Sequence, residues 1–281
     1  IAEAPTRTRE AARWIHRTAS ASANTRLVYR MGKRFEPGAP FDTVLHVIRA
    51  VFFDAGNTLL RMNYADIAAE LGRHGVSVTP EAVRRAEWRA RVQLDEEVFA
   101  RSFPDVSTES RSIGGRYVRY LLEALGIADA RIADAVAEWR SRYNPPVGLW
   151  NTADPHAAAA LRLVRQAGLA AAVISNSNGS VRSILQALGL ASHLDFVLDS
   201  FEVGVEKPDP RIFTLAIERA GVVPGEAVYI GDLYTVDVRG ARATGMDAIL
   251  LDPGGHWGER DCERAPDVVA AVRLILASGG R

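Results

Sequence analysis

From residue 150 onward, short apolar runs alternate with helices punctuated at both ends, and this alternation narrows the fold more than any other feature. Asp154-Pro155 opens a helix that stops at Gly168, Asp209-Pro210 opens one that stops at Gly221, and a third over 180–188 ends at Gly189. Proline suits the first helical turn and glycine the left-handed position past the last. The apolar runs at 170–175, 195–198, 227–231 and 247–251 predict strands, and a closing helix is expected over 266–277. Such an order implies a parallel sheet covered on both faces, an α/β, doubly wound, Rossmann-like core. One further apolar run, Val51-Phe52-Phe53, ends in Asp54 and belongs to the same sheet, although a helical stretch separates it from the other strands. That stretch opens a helix at Thr79-Pro80, continues with helical patterns over 108–125 and 128–143, and ends at Asn144-Pro145-Pro146. The expected organisation is a core of 48–61 and 150–281 with a helical cap, 62–149, inserted in it.

Residues 1–47 lack sustained periodicity and predict a poorly ordered basic extension. Residues 1–50 carry nine Lys or Arg against four acids. The Arg-rich, Ser/Ala-rich composition also describes an organellar transit peptide, with a basic tail as the plainer reading. Over all 281 residues the charges balance at 34 basic to 34 acidic, so nothing in the net charge argues for nucleic acid or an anionic membrane as partner. No apolar run approaches a membrane span. The single cysteine, Cys262, excludes an intrachain disulfide and thiolate metal clusters, and fits a reducing, cytoplasmic setting. The six histidines show no metal-ligand spacing.

Four short segments fall at or after strand ends, where open α/β sheets bind ligands. Asp54 is followed by Thr58. The strand ending at Ile174 delivers Ser175 and Asn176. Lys207 stands before the helix capped by Asp209, and Val228-Tyr229-Ile230 leads into Gly231-Asp232, with Asp237 beyond. Singly, each has a plainer role as a turn, a cap or a surface charge. Together they suit displacement at phosphorus: a carboxylate nucleophile, a hydroxyl and a lysine for the transferring oxygens, and Asp54 and Asp232 as hard oxygen ligands for Mg²⁺. Lysine is informative because the chain has only Lys33 and Lys207 against 32 arginines, and a compact ammonium does what a planar guanidinium does not.

In this order the segments Phe53-Asp54-Ala55-Gly56-Asn57-Thr58-Leu59, Val173-Ile174-Ser175-Asn176, Glu206-Lys207-Pro208-Asp209-Pro210 and Gly231-Asp232 through Asp237 resemble the four motifs of the haloacid dehalogenase-like superfamily. The helical insertion resembles the cap of its subfamily I, and the resemblance covers about 48–277. It implies that Asp54 is the nucleophile, Thr58, Ser175 and Asn176 bind substrate, and Lys207 stabilises charge. It further implies that Asp54, the Gly56 carbonyl and Asp232 hold Mg²⁺, with Asp237 in support. The implied substrate is a small phosphorylated metabolite.

Gly56 departs from the pattern, because phosphatases of the superfamily carry there a second aspartate that protonates the leaving group. A positioned acid is worth about 10²–10⁴-fold, so the missing carboxylate predicts a phosphatase favouring leaving groups that need no proton, such as acyl or aryl phosphates, or one in which substrate or cap supplies the proton, with Gly56→Asp expected to raise alkyl phosphatase activity. Three other readings follow from the missing acid. Phosphonate-cleaving relatives use a cap lysine, and residues 62–149 contain none. Haloacid dehalogenases place an aromatic residue there, dispense with metal and lack the acid that Asp232 provides here. A weak or silent phospho-ligand-binding scaffold stays open. Arg61, Tyr64, Trp88, Arg89, Arg116 and Tyr117 are the candidate anion or ring contacts near or in the cap.

Overall fold

A computed structural model describes residues 47–102 and 106–278. The basic extension expected over 1–47 therefore lies outside the described residues, apart from its last position. The strands are β1 (Ala50–Phe53), β2 (Leu60–Arg61), β3 (Thr152–Ala153), β4 (Ala170–Ser175), β5 (Phe196–Asp199), β6 (Ala227–Gly231), β7 (Asp247–Leu251) and β8 (Glu263–Ala265). Six of them form one parallel sheet in the order β5-β4-β1-β6-β7-β8. The chain starts in the middle at β1, fills one side with β4 and β5, then returns to fill the other. Asp54 thus leaves the sheet where the strand order reverses, the usual place for a ligand crevice.

Both faces of the sheet are buried, which is why its strands are apolar throughout rather than alternating. On one face Val51, Phe53, Val173 and Ile230 pack under the helices Ala157–Gln166, Val181–Ala187 and Val268–Ser278. On the other, Phe52, Ile174, Tyr229 and Leu250 pack under Pro210–Ala220 and Arg239–Ala243. Sequence punctuation maps onto observed ends: the Asp209 side chain caps the helix that Pro210 begins, and Gly221 ends it in the left-handed conformation.

The inserted residues form helices Tyr64–Arg73, Pro80–Leu94, Arg111–Ala124 and Ala130–Arg142 around their own apolar cluster, which includes Leu71, Ala90, Phe99, Leu121 and Leu122. Entry and exit run side by side as a two-stranded antiparallel ribbon, with Leu60 of β2 opposite Ala153 of β3. Arg61 ties the ribbon to the core through Asp154, at 2.6 Å. No helix among the described residues is long and apolar enough to cross a membrane.

A second tie joins the helix Pro80–Leu94 to the core. The helix widens into a π-turn, Asp95–Phe99, and Asp95 accepts from the Thr235 amide at 3.0 Å and its hydroxyl at 2.9 Å. Burial pushes the Asp95 carboxyl up to about 7, against the bonds from Thr235. The unfolded chain loses this proton near pH 4 and the folded chain only near 7, so Asp95 costs stability progressively as pH rises through that window. Asparagine, which can accept from the amide and donate to the hydroxyl, is expected to remove this slope. Urea unfolding should find Asp95→Asn more stable than the parent by about 2–4 kcal/mol at pH 8, with the gain shrinking toward pH 5.

Candidate active site

The turn after β1 is built around one carbonyl: the amides of Thr58, Leu59 and Leu60 all point to Ala55 O, at 3.4, 3.0 and 2.8 Å. This tight reversal places Asn57 at φ 55°, a left-handed conformation that asparagine tolerates better than most residues. Asp54 itself lies against the Lys207 ammonium, whose Nζ donates to Asp54 Oδ1 at 2.6 Å, to Asp237 Oδ1 at 2.7 Å and to the Tyr229 hydroxyl at 2.9 Å. Three donors on a point charge meet three acceptors. Lys207 is only 2% exposed.

Two clamps hold this arrangement. The Asn176 carboxamide grips the backbone of Lys207, accepting from its amide at 2.7 Å and donating to its carbonyl at 2.9 Å, while also donating to Thr108 of the insertion at 2.9 Å. The sequence reading placed Asn176 among the substrate contacts, but both ends of its side chain are taken up in positioning Lys207. Asp237 forms the second clamp, its Oδ2 accepting from the amides of Asp232 and Leu233, each at 3.0 Å. The carboxylate lies so close to the turn that a Cβ at position 231 would sit 2.5 Å from it, which explains Gly231.

Asp54, Asp232 and Asp237 are buried with carboxylate oxygens within 4.8 Å of one another. Burial, reinforced by Asp237 and opposed by Lys207, pushes the Asp54 carboxyl up to about 6. Burial likewise raises Asp232, against the attraction of Arg91. Burial works to deprotonate Lys207, but the charges of Asp237 and Asp54 outweigh it and hold the ammonium charged.

The insertion contributes a network that the sequence reading missed. Arg91 Nη1 stands 3.1 Å from Asp232 Oδ2, and the rest of its guanidinium is held by Glu87, with Nε at 2.8 Å and Nη2 at 2.5 Å. Glu87 also accepts from Tyr117, at 2.5 Å, and from Tyr64, at 3.3 Å. Asn57 donates to Asp232 Oδ2 at 3.2 Å and accepts from the indole of Trp150 at 3.3 Å. Of the six aromatic and basic candidates, Tyr64 and Tyr117 therefore join this network and Arg61 holds Asp154, whereas Trp88 lies under Arg84; Arg89 and Arg116 enter none of these bonds.

Position 56 is crowded rather than open. A Cβ built on Gly56 would meet Trp150 Nε1 at 3.3 Å and Cδ1 at 3.4 Å. The indole is itself stacked on Tyr117, with ring planes 7° apart. The first atom of any side chain at this position already presses on the Trp150 indole. The gain expected from Gly56→Asp alone consequently meets a steric obstacle that the sequence did not reveal.

Thr58 and Ser175 are both buried. Among the described residues, Ser175 Oγ donates to the neighbouring Asn176 carbonyl, at 3.2 Å, and Thr58 Oγ1 has no hydrogen-bond partner. Asn57, Thr58, Arg61, Tyr64, Trp88 and Arg91 line a cleft between core and insertion.

Comparison with known sequences decides the family: the profile of the haloacid dehalogenase-like hydrolases matches residues 48–245. The chain belongs to that family. Among relatives of this haloacid dehalogenase-like hydrolase, the haloacid dehalogenase-like hydrolase domain-containing protein 3 of Homo sapiens is 34% identical over 214 residues, or 73% of this chain and 82% of that protein. A phosphoserine phosphatase of Thermus thermophilus is 40% identical over 155 residues, or 54% of this chain and 59% of that one. A magnesium-bound haloacid dehalogenase-like hydrolase of Bacillus subtilis superposes with a TM-score of 0.56 at 16% identity, over 81% of this chain and 98% of that one, a likeness of fold.

Proposed function

We propose that this protein hydrolyses small phosphorylated metabolites with Mg²⁺, through a phosphoryl group carried on Asp54, in a reducing cytoplasmic setting. The observation that carries the proposal is the buried carboxylate at the switch point of the sheet, held by Lys207 beside Asp232 and Asp237. The phosphatase name of the Thermus thermophilus relative supports the same reaction class.

The charges fit a divalent cation. Four buried carboxylates, Asp54, Asp232, Asp237 and Glu87, face two buried cations, Lys207 and Arg91, a shortfall of two positive charges when all are ionised. Asp54 and Asp232, with the Gly56 carbonyl, would hold the ion, and the Asn57 donor and the Arg91 charge both face Asp232 Oδ2. Bound there, Mg²⁺ supplies charge neutralisation between carboxylates and phosphate oxygens.

Within this reading Asp54 attacks phosphorus, forming an aspartyl-phosphate as the phosphorus–oxygen bond to the leaving group breaks. Water then releases inorganic phosphate and regenerates the carboxylate. Lys207 keeps the Asp54 carboxylate oriented and offsets charge on the transferring oxygens. Ser175 and Thr58 offer hydroxyls to those oxygens, Asn176 and Asp237 fix Lys207, and residues 62–149 act as the cap that encloses the substrate. With Gly56, backed by Trp150, in the place of the usual acid, the departing oxygen carries its own negative charge or takes a proton from the substrate or the cap.

A screen of phosphorylated compounds with Mg²⁺ tests the proposal, with Asp54→Asn as control. Aryl or acyl phosphates are expected to turn over about 10²-fold faster than alkyl phosphates, reflecting the missing acid. Equal rates would remove the leaving-group argument, and turnover that survives Asp54→Asn would remove the nucleophile. A silent phospho-ligand binder is the second reading, favoured by Trp150 at the acid's place. It predicts no Asp54-dependent turnover, with ligand raising thermal stability all the same.

A further inference from the structure

Arg91, a basic residue of the insertion, reaches Asp232 of the core directly. Its guanidinium is 4% exposed, bound on one flank by Glu87 and abutting Asp232 Oδ2 with Nη1 at 3.1 Å. Nη1 makes no well-directed hydrogen bond to any described residue, so the contact with Asp232 is one of charge. Glu87 is completely buried and is fixed by Tyr117 and Tyr64, which leaves the guanidinium little freedom to swing aside.

We propose that Arg91 is a competing cation for Asp232: it ties the inserted helix Pro80–Leu94 to the core and lowers the affinity of the site for Mg²⁺. The inference rests on the Mg²⁺ reading given above. A guanidinium and a divalent ion that share one buried carboxylate repel each other, and the low polarity around them leaves that repulsion poorly screened. Linkage makes the effect mutual: a bound ion loosens the hold of Arg91 on Asp232 by the factor by which Arg91 weakens the ion. Arg91 is thereby a positioning residue that couples metal loading to attachment of the inserted helices. A substrate phosphate, negative where Mg²⁺ is positive, relieves the repulsion and lets both cations stay.

Calorimetric titration with Mg²⁺ in the absence of substrate provides the test. Removing Arg91 alone would strand Glu87, so the charge-balanced variant Glu87→Gln/Arg91→Met is compared with the parent after both are shown to unfold cooperatively in urea. The variant is expected to bind Mg²⁺ at least about tenfold more tightly. Arg91→Lys, which keeps the charge near Glu87 but is too short to serve both carboxylates, is the second variant and should fall between the two. Equal or weaker binding by the variants overturns this inference while leaving the Mg²⁺ reading intact. Absence of binding in parent and variants alike overturns both. As a second readout, hydrogen exchange across Pro80–Leu94 should quicken on adding Mg²⁺ to the parent and stay constant in the double variant; the opposite pattern also overturns the inference.

Discussion

Lys207→Met is expected to abolish turnover and to destabilise the fold by about 3–5 kcal/mol at pH 8, because it leaves buried carboxylates without their counter-charge. The ammonium is the shared donor of Asp54, Asp237 and the Tyr229 hydroxyl, and burial leaves water no way to replace it. The pH dependence separates this mechanism from a packing defect. Against burial, Lys207 holds the Asp54 carboxyl down to about 6. Without it the variant takes up a proton at higher pH than the parent, so the stability difference should narrow as pH falls from 8 toward 6. A difference that is constant from pH 8 to pH 5 would point to lost packing instead. Lys207→Arg is not expected to restore turnover, since a planar fork cannot occupy the centre of three acceptors that a rotating ammonium satisfies.

The second large effect concerns Gly56 and Trp150 together. Gly56→Asp alone is expected to bring no alkyl phosphatase activity and to cost about 1–3 kcal/mol, because its Cβ already presses on the indole. Gly56→Asp combined with Trp150→Ala opens the volume and should raise turnover of alkyl phosphates about 10²-fold over the parent. The measurement is the ratio of alkyl to aryl phosphate turnover in the four proteins of the cycle. A gain in the single variant would show that the indole yields easily. No gain in the pair would show that the site lacks more than an acid.

Which parts of this architecture could be read from the residues follows from how local their causes are. Strands β4, β6 and β7 announce themselves because a strand buried on both faces must be apolar along its length, and Asp209-Pro210 with Gly221 marks a helix at both ends. Strand β8 gives no such run, since two of its three residues are exposed and polar at the edge of the sheet. The widened turns at Asp95 and Tyr234 leave no mark in sequence, and the bond between Asp95 and Thr235 that joins them links distant parts of the chain.

Asp54, Lys207, Asp232 and Asp237 could be grouped in advance through the motif order they share with the family, and the fold brings the four side chains together. Arg91 and Glu87 could not. Their spacing of four on an Arg-rich helix is the ordinary pattern of a solvated ion pair, and only tertiary packing buries it against Asp232. Trp150 stands at the border between helical and strand patterns, where nothing suggests contact with a glycine 94 positions earlier. Asn57 lay inside the recognised motif, and its left-handed backbone and bridging carboxamide become visible only with the turn built.

The paired β2 and β3 carry a consequence for how such a protein can change. Since Leu60 and Ala153 face each other, the insertion leaves and rejoins the core at one place, and its other holds on the core are side-chain contacts such as Asp95 with Thr235 and Arg91 with Asp232. Transplanting the insertion of a relative between these two residues is the natural route to a chimera. Its two obligatory fittings are an acceptor for the Thr235 amide and a partner for Asp232.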